Sequence, residues 1–122
     1  MGDLTGTSVL LLEDEFLIAL DAEQILTELG AAKVEIASTL TDAERLAENG
    51  RFDVAMLDVN INGEVSFALA ESLRRRGVPV IFATGYEMKN QPFPEFAMCV
   101  TKPYSSDNLL EVLSTALRSR GE

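Results

Sequence analysis

Histidine is absent from the 122 residues, which removes Ser-His-Asp catalysis, histidine-ligated zinc sites and any role as a phosphohistidine carrier. A single cysteine, Cys99, leaves no intramolecular disulfide to form and is compatible with a reducing, cytoplasmic setting. Basic residues are scarce, 10 against 20 acidic ones, for a net charge of −10. A field of that sign repels phosphate backbones and anionic lipid, so neither nucleic acid nor a membrane is an expected partner. Long apolar runs are also missing. Val9 to Leu12 stops at Glu13-Asp14-Glu15, too short for a signal peptide or a span, and Met1 to Gly6 carries no basic region. The length suits one domain over 1–122 that needs no disulfide staple.

Short apolar runs alternate with helical patterns. Ser8 to Leu12 reads as a first strand, and Glu15 to Gly30 as a helix with Ile18, Ala22, Ile25 and Leu29 on one face. Lys33 to Ala37 alternates polar and apolar, the pattern of a half-exposed edge strand. Thr41 to Asn49 is a second helix closed by Gly50, and Val54 to Leu57 an apolar third strand. A loop from Asp58 to Gly63 leads into a helix stacking Val65, Leu69 and Leu73 and ending at Gly77. Val78 to Ala83 and Met98 to Val100 are the fourth and fifth strands. Ser105 or Ser106 caps a last helix with Leu110, Leu113 and Leu117.

Strands separated by helices pair in parallel through right-handed crossovers. The expected fold is α/β, a doubly wound five-stranded parallel sheet of flavodoxin-like order 2-1-3-4-5, with the half-exposed strand 2 at an edge. One segment breaks the rhythm. Tyr86 to Ala97 is close to the minimum length for a crossover and contains Pro92 and Pro94, so the fourth helix is expected to be short, irregular or mobile.

Position matters more than composition. Ligands of open parallel sheets sit beyond the carboxyl ends of the strands. There the pattern places Glu13 and Asp14 after strand 1, Asp58 after strand 3, Thr84 after strand 4 and Lys102 after strand 5. Each residue alone has an ordinary explanation: Glu13 to Glu15 favour a helix N-terminus, Asp58 and Thr84 suit turns, and a lone lysine is usually solvated. The ordered set is harder to explain that way. Three carboxylates on one rim repel one another, and a hard divalent cation with oxygen ligands, Mg²⁺, relieves the repulsion. Asp58 is then placed to be a nucleophile toward phosphorus, with Lys102 and Thr84 pairing phosphoryl oxygens.

These residues resemble the receiver domain of two-component response regulators. The resemblance runs from about Ser8 to Leu117 and is carried by Leu12-Glu13-Asp14-Glu15, Leu57-Asp58-Val59-Asn60, Ala83-Thr84-Gly85 and Thr101-Lys102-Pro103-Tyr104. It implies a cytoplasmic response regulator whose Asp58 takes a phosphoryl group from a sensor histidine kinase or a histidine phosphotransfer protein. It also implies Mg²⁺ on Glu13, Asp14, Asp58 and the backbone carbonyl of Asn60, with Thr84 and Lys102 as switch hydroxyl and phosphate-pairing lysine. Pro79 to Tyr86 resembles more narrowly the Phe-Ala-Thr-Gly-aromatic, or FAT GUY, receivers, which often stand alone. Typical receivers carry an aromatic three positions before the lysine. Cys99 stands there, and Tyr86 is the available aromatic, so the implied switch is Thr84, Gly85 and Tyr86.

The resulting expectation is a single receiver domain over 1–122 with no output domain. It catalyses only its own phosphotransfer and dephosphorylation, and signals by contact with a downstream regulator or drains phosphate from a kinase. The alternative is a phosphorylation-independent interaction module on the same fold, docking a partner around Tyr86, Met88, Phe93 and Phe96. A phosphohydrolase usually wants a second acid two residues after the nucleophile, where Asn60 stands, and no cap domain is present.

Overall fold

The computed structural model describes residues 4–84 and 98–120. Its elements run β1 (Ser8–Leu12), α1 (Phe16–Glu28), β2 (Lys33–Ala37), α2 (Leu40–Asn49) and β3 (Val54–Asp58). A small hairpin follows, β4 (Asn60–Ile61) and β5 (Glu64–Val65), then α3 (Phe67–Arg75), β6 (Val80–Thr84), β7 (Met98–Thr101) and α4 (Ser106–Arg120). The main sheet has five strands in the order β2-β1-β3-β6-β7, all paired in parallel, which is the expected 2-1-3-4-5 order. The expected irregular fourth helix, with Gly85, Tyr86, Met88, Phe93 and Phe96, lies outside the described residues.

The continuous apolar runs are explained by burial on both faces of the sheet. Val9 and Leu11 of β1, Val54 and Met56 of β3 and Ile81 and Ala83 of β6 join a core with Ala19, Ala22 and Leu26 of α1 and Leu109, Leu113 and Ala116 of α4. Their neighbours Leu10, Leu12, Ala55, Leu57, Val80 and Phe82 face the opposite way, onto Ala43 and Ala47 of α2 and Leu69, Ala70 and Leu73 of α3. Phe82 also meets Phe67 edge to face, ring centres 5.3 Å apart, worth about 0.5–1.5 kcal/mol beyond simple burial. Strand β2 is half-exposed at the sheet edge.

Several boundaries differ from the sequence reading. In α1 the fully buried stripe is Ala19, Ala22 and Leu26, with Ile18, Ile25 and Leu29 packed beside it. Val65 is not in the third helix: it is exposed and pairs with Asn60 in the hairpin. The cause is the Asn62-Gly63 turn, where φ is 52° and 85°, the two positive values that a tight two-residue hairpin demands. Val78 does not open the fourth main-sheet strand. Its amide bonds the Leu73 carbonyl and, with Gly77 at φ 85°, closes the end of α3, so β6 starts at Val80. Ser105 is the residue that caps α4, its hydroxyl accepting from the Asn108 amide at 3.1 Å.

Arg74 and Arg75 reach back to Glu71. Arg76 donates to the Ala47 carbonyl and the Ser72 hydroxyl. The basic run Arg74-Arg75-Arg76 is thus engaged locally at the end of α3. No helix among the described residues is long and apolar enough to cross a membrane.

Candidate functional site

Parallel pairing brings the carboxyl ends of β1, β3, β6 and β7 to one rim. Asp58, the last residue of β3, stands in register with Ala83 of β6, and Thr84 with Thr101 of β7. Glu13 continues β1 by donating its amide to the Ala37 carbonyl at 3.0 Å. The Lys102 amide bonds the Thr84 carbonyl at 2.9 Å, carrying the lysine one residue past β7, and the peptide before Pro103 is cis. Residues remote in sequence meet there because four strand ends coincide.

Glu13 and Asp58 are buried, 2% and 6% exposed, and Asp14 is exposed beside them. One carboxylate oxygen from each lies within 4.8 Å of the others. The Lys102 ammonium is 2.7 Å from Asp58 Oδ1 and 3.0 Å from Glu13 Oε1. The other Glu13 oxygen accepts from the Glu15 amide at 3.1 Å at the entrance of α1. The helix-start explanation for Glu13 therefore holds for one oxygen, while the second faces the cluster.

One ammonium cannot neutralise two buried carboxylates and their exposed neighbour. Burial pushes the Asp58 carboxyl up to about 7; the Lys102 hydrogen bond opposes this, and the Glu13 charge adds to it. For Lys102, burial disfavours the charge, but hydrogen bonds to Asp58 and Glu13 outweigh it and hold the ammonium above its ordinary value. Tyr104 packs beneath the cluster with its phenol buried. Burial first, then the charges of Glu13 and Asp58, push its ionisation well above the usual range. Among the described residues its hydroxyl has no hydrogen-bond partner.

An excess of crowded oxygen anions is the donor set a hard divalent cation takes, so the residues present fit Mg²⁺. Asn60 lies two residues past Asp58, and its side chain accepts from the Gly63 amide at 3.1 Å, so it shapes the hairpin rather than reaching across the rim. Thr84 is half-buried at the end of β6. The expected switch residues Gly85 and Tyr86 lie outside the described residues.

Sequence reasoning missed Ser66. This fully buried residue donates its hydroxyl to the Asp58 carbonyl at 2.6 Å and its amide to the Val59 carbonyl at 2.9 Å. With Val65 read as helical, Ser66 falls inside the expected helix, and only the hairpin, signalled by Asn62-Gly63, brings it back to Asp58.

The family model described as the response regulator receiver domain matches residues 9–114. Over 117 residues the chain is 34% identical to the phyllosphere-induced regulator PhyR of Methylorubrum extorquens, covering 92% of this chain and 44% of that protein. It thus spans less than half the length of that curated relative. The solution structure of SdrG from Sphingomonas melonis superposes with a TM-score of 0.82 at 34% identity, covering 92% of this chain and 97% of that one. The crystal structure of the anti-anti-sigma factor PhyR from Bartonella quintana superposes with a TM-score of 0.83 at 29% identity, covering 98% and 50%. The sheet order, the acidic rim and the extent of the family match lead to one conclusion: this chain belongs to the response regulator receiver domain family.

Proposed function

We propose that the chain is a receiver that accepts a phosphoryl group on Asp58 from a histidine of a sensor kinase or phosphotransfer protein. The observation that carries this reading is the meeting of Asp58, Glu13, Asp14 and Lys102 at one rim.

Glu13, Asp14, Asp58 and the Asn60 carbonyl would hold Mg²⁺, which when bound offsets the charge on the transferring phosphoryl group. The chain's own residues do the rest. An Asp58 carboxylate oxygen attacks phosphorus, the new O–P bond forms as the donor's P–N bond breaks, and the released imidazole takes a proton from solvent. Lys102 pairs with a phosphoryl oxygen, and Thr84 donates to another. The acyl phosphate carries a charge of roughly −2 where the carboxylate carried −1, and it brings three acceptor oxygens to the rim. Thr84 moves toward them, drawing Gly85 and Tyr86 with it in the manner of the FAT GUY receivers, and the rearranged surface contacts a downstream regulator. The relative named an anti-anti-sigma factor, a protein that acts on another regulator, supports a regulatory protein as the target. Catalysis is limited to the chain's own phosphorylation and dephosphorylation, in the cytoplasm.

The test is transfer of labelled phosphate from a phosphorylated histidine kinase in the presence of Mg²⁺. Wild type takes up label, and Asp58→Ala does not. Equal labelling of the variant excludes Asp58. A second reading, a phosphorylation-independent docking module, draws on the exposed Phe16, Leu17 and Leu20 of α1. Such a module has no need of Mg²⁺, so a calorimetric titration without binding favours it.

A further inference from the structure

We infer that Ser66 is a positioning residue for the phosphoacceptor loop, an inference that rests on the function proposed above. Serine before a helix normally turns its hydroxyl onto an amide of the first turn. Ser66 does not: it makes no such cap to α3, and its hydroxyl donates backward to the Asp58 carbonyl at 2.6 Å. Its amide donates to the next carbonyl, Val59, at 2.9 Å, and its own carbonyl accepts from Ala70 at 3.1 Å. Every polar group of this fully buried residue is therefore engaged, two of them on consecutive carbonyls of the loop.

The geometric result is a closed loop. Val59 to Val65 leaves Asp58, turns through Asn62-Gly63 and returns to Ser66, where the two hydrogen bonds clamp its start. They fix the peptide planes on either side of Val59. The Asn60 carbonyl, the backbone oxygen proposed for the metal, lies one peptide further along. Ser66 also opens α3, whose Phe67 ring is seated against Phe82 of β6. The clamp thus refers the loop to a rigid part of the core. A ligand held by a main-chain oxygen has no rotamer to adjust, so its aim depends on groups such as this one.

The experiment compares wild type, Ser66→Ala and Ser66→Cys. Cysteine keeps nearly the same volume but is a weak donor. The readouts are Mg²⁺ affinity by calorimetry and amide exchange across residues 59–65 in the metal-free protein. Ser66→Ala is expected to weaken Mg²⁺ binding about tenfold or more, the size of effect typical of groups that orient metal ligands. It is also expected to speed exchange in the loop while β1 and β3 stay protected. Ser66→Cys falls between the two, and it decides the matter if the alanine variant does not fold. Mg²⁺ affinity within about twofold of wild type, with loop exchange unchanged, overturns the inference. A wild type that binds no Mg²⁺ overturns the proposed function instead.

Discussion

The Lys102 ammonium reaches across the end of β6 to lie 2.7 Å from the Asp58 carboxylate, although β3 and β7 are not neighbours in the sheet. The same nitrogen is shared with Glu13 at 3.0 Å. Its removal leaves two buried carboxylates facing each other. Lys102→Ala is therefore expected to move the Asp58 midpoint above about 7, because both effects of the lysine on that carboxyl are lowering ones. Carbon-detected NMR titration of the side chain reads this. Labelling by a phosphodonor is expected to slow about a hundredfold in the same variant.

Asp58 also makes stability depend on pH. Its unfolded value is near 3.8 and its folded value about 7. Between these the folded chain keeps a proton that the unfolded chain has released, so this group's contribution is complete below the lower value and is lost as pH rises through the upper one. The slope approaches about 1.4 kcal/mol per pH unit within that window. Urea unfolding of metal-free protein is expected to show it, and Asp58→Asn to flatten it.

Metal reverses that trend. At the proposed site Mg²⁺ competes with the proton for the Asp58 carboxylate, so its affinity is expected to rise toward neutral pH and level off above about 7. At a hundred times its dissociation constant it stabilises by about 2.7 kcal/mol. Thermal unfolding with Mg²⁺ and then with a chelator measures the difference.

Gly63 has φ 85° with open space where a Cβ would stand. Gly63→Ala is thus strained by the backbone rather than by a clash, at a cost of about 1 kcal/mol. Because the loop carries Asn60, the same variant is expected to weaken Mg²⁺ binding, while a helix-surface change of equal stability cost does not.

Tyr104→Phe is expected to leave stability unchanged or to raise it by about 1 kcal/mol, since the buried hydroxyl has no partner among the described residues. Chemical denaturation measures this, and a loss of more than about 2 kcal/mol contradicts it.

The main sheet was legible because its strands are buried on both faces and therefore apolar throughout, as at Leu10-Leu11-Leu12 and Val80-Ile81-Phe82. The rim was legible for the opposite reason: Glu13, Asp58 and Lys102 each interrupt an apolar strand at its end. What escaped is made of two-residue events. The Asn62-Gly63 hairpin was read as a plain loop, so Val65 was placed in a helix that begins at Phe67. Ser66 drew no notice because its acceptor, the Asp58 carbonyl, is a main-chain atom that no side-chain pattern reveals. That the buried Tyr104 hydroxyl has no partner among the described residues follows from three-dimensional packing, which periodicity does not encode.

The main-chain bond from Lys102 to Thr84 couples two side chains that are usually discussed apart. If Thr84 moves as proposed, the bond is expected to yoke the two strand ends, so that a displacement of the hydroxyl-bearing end of β6 carries the ammonium-bearing end of β7 with it.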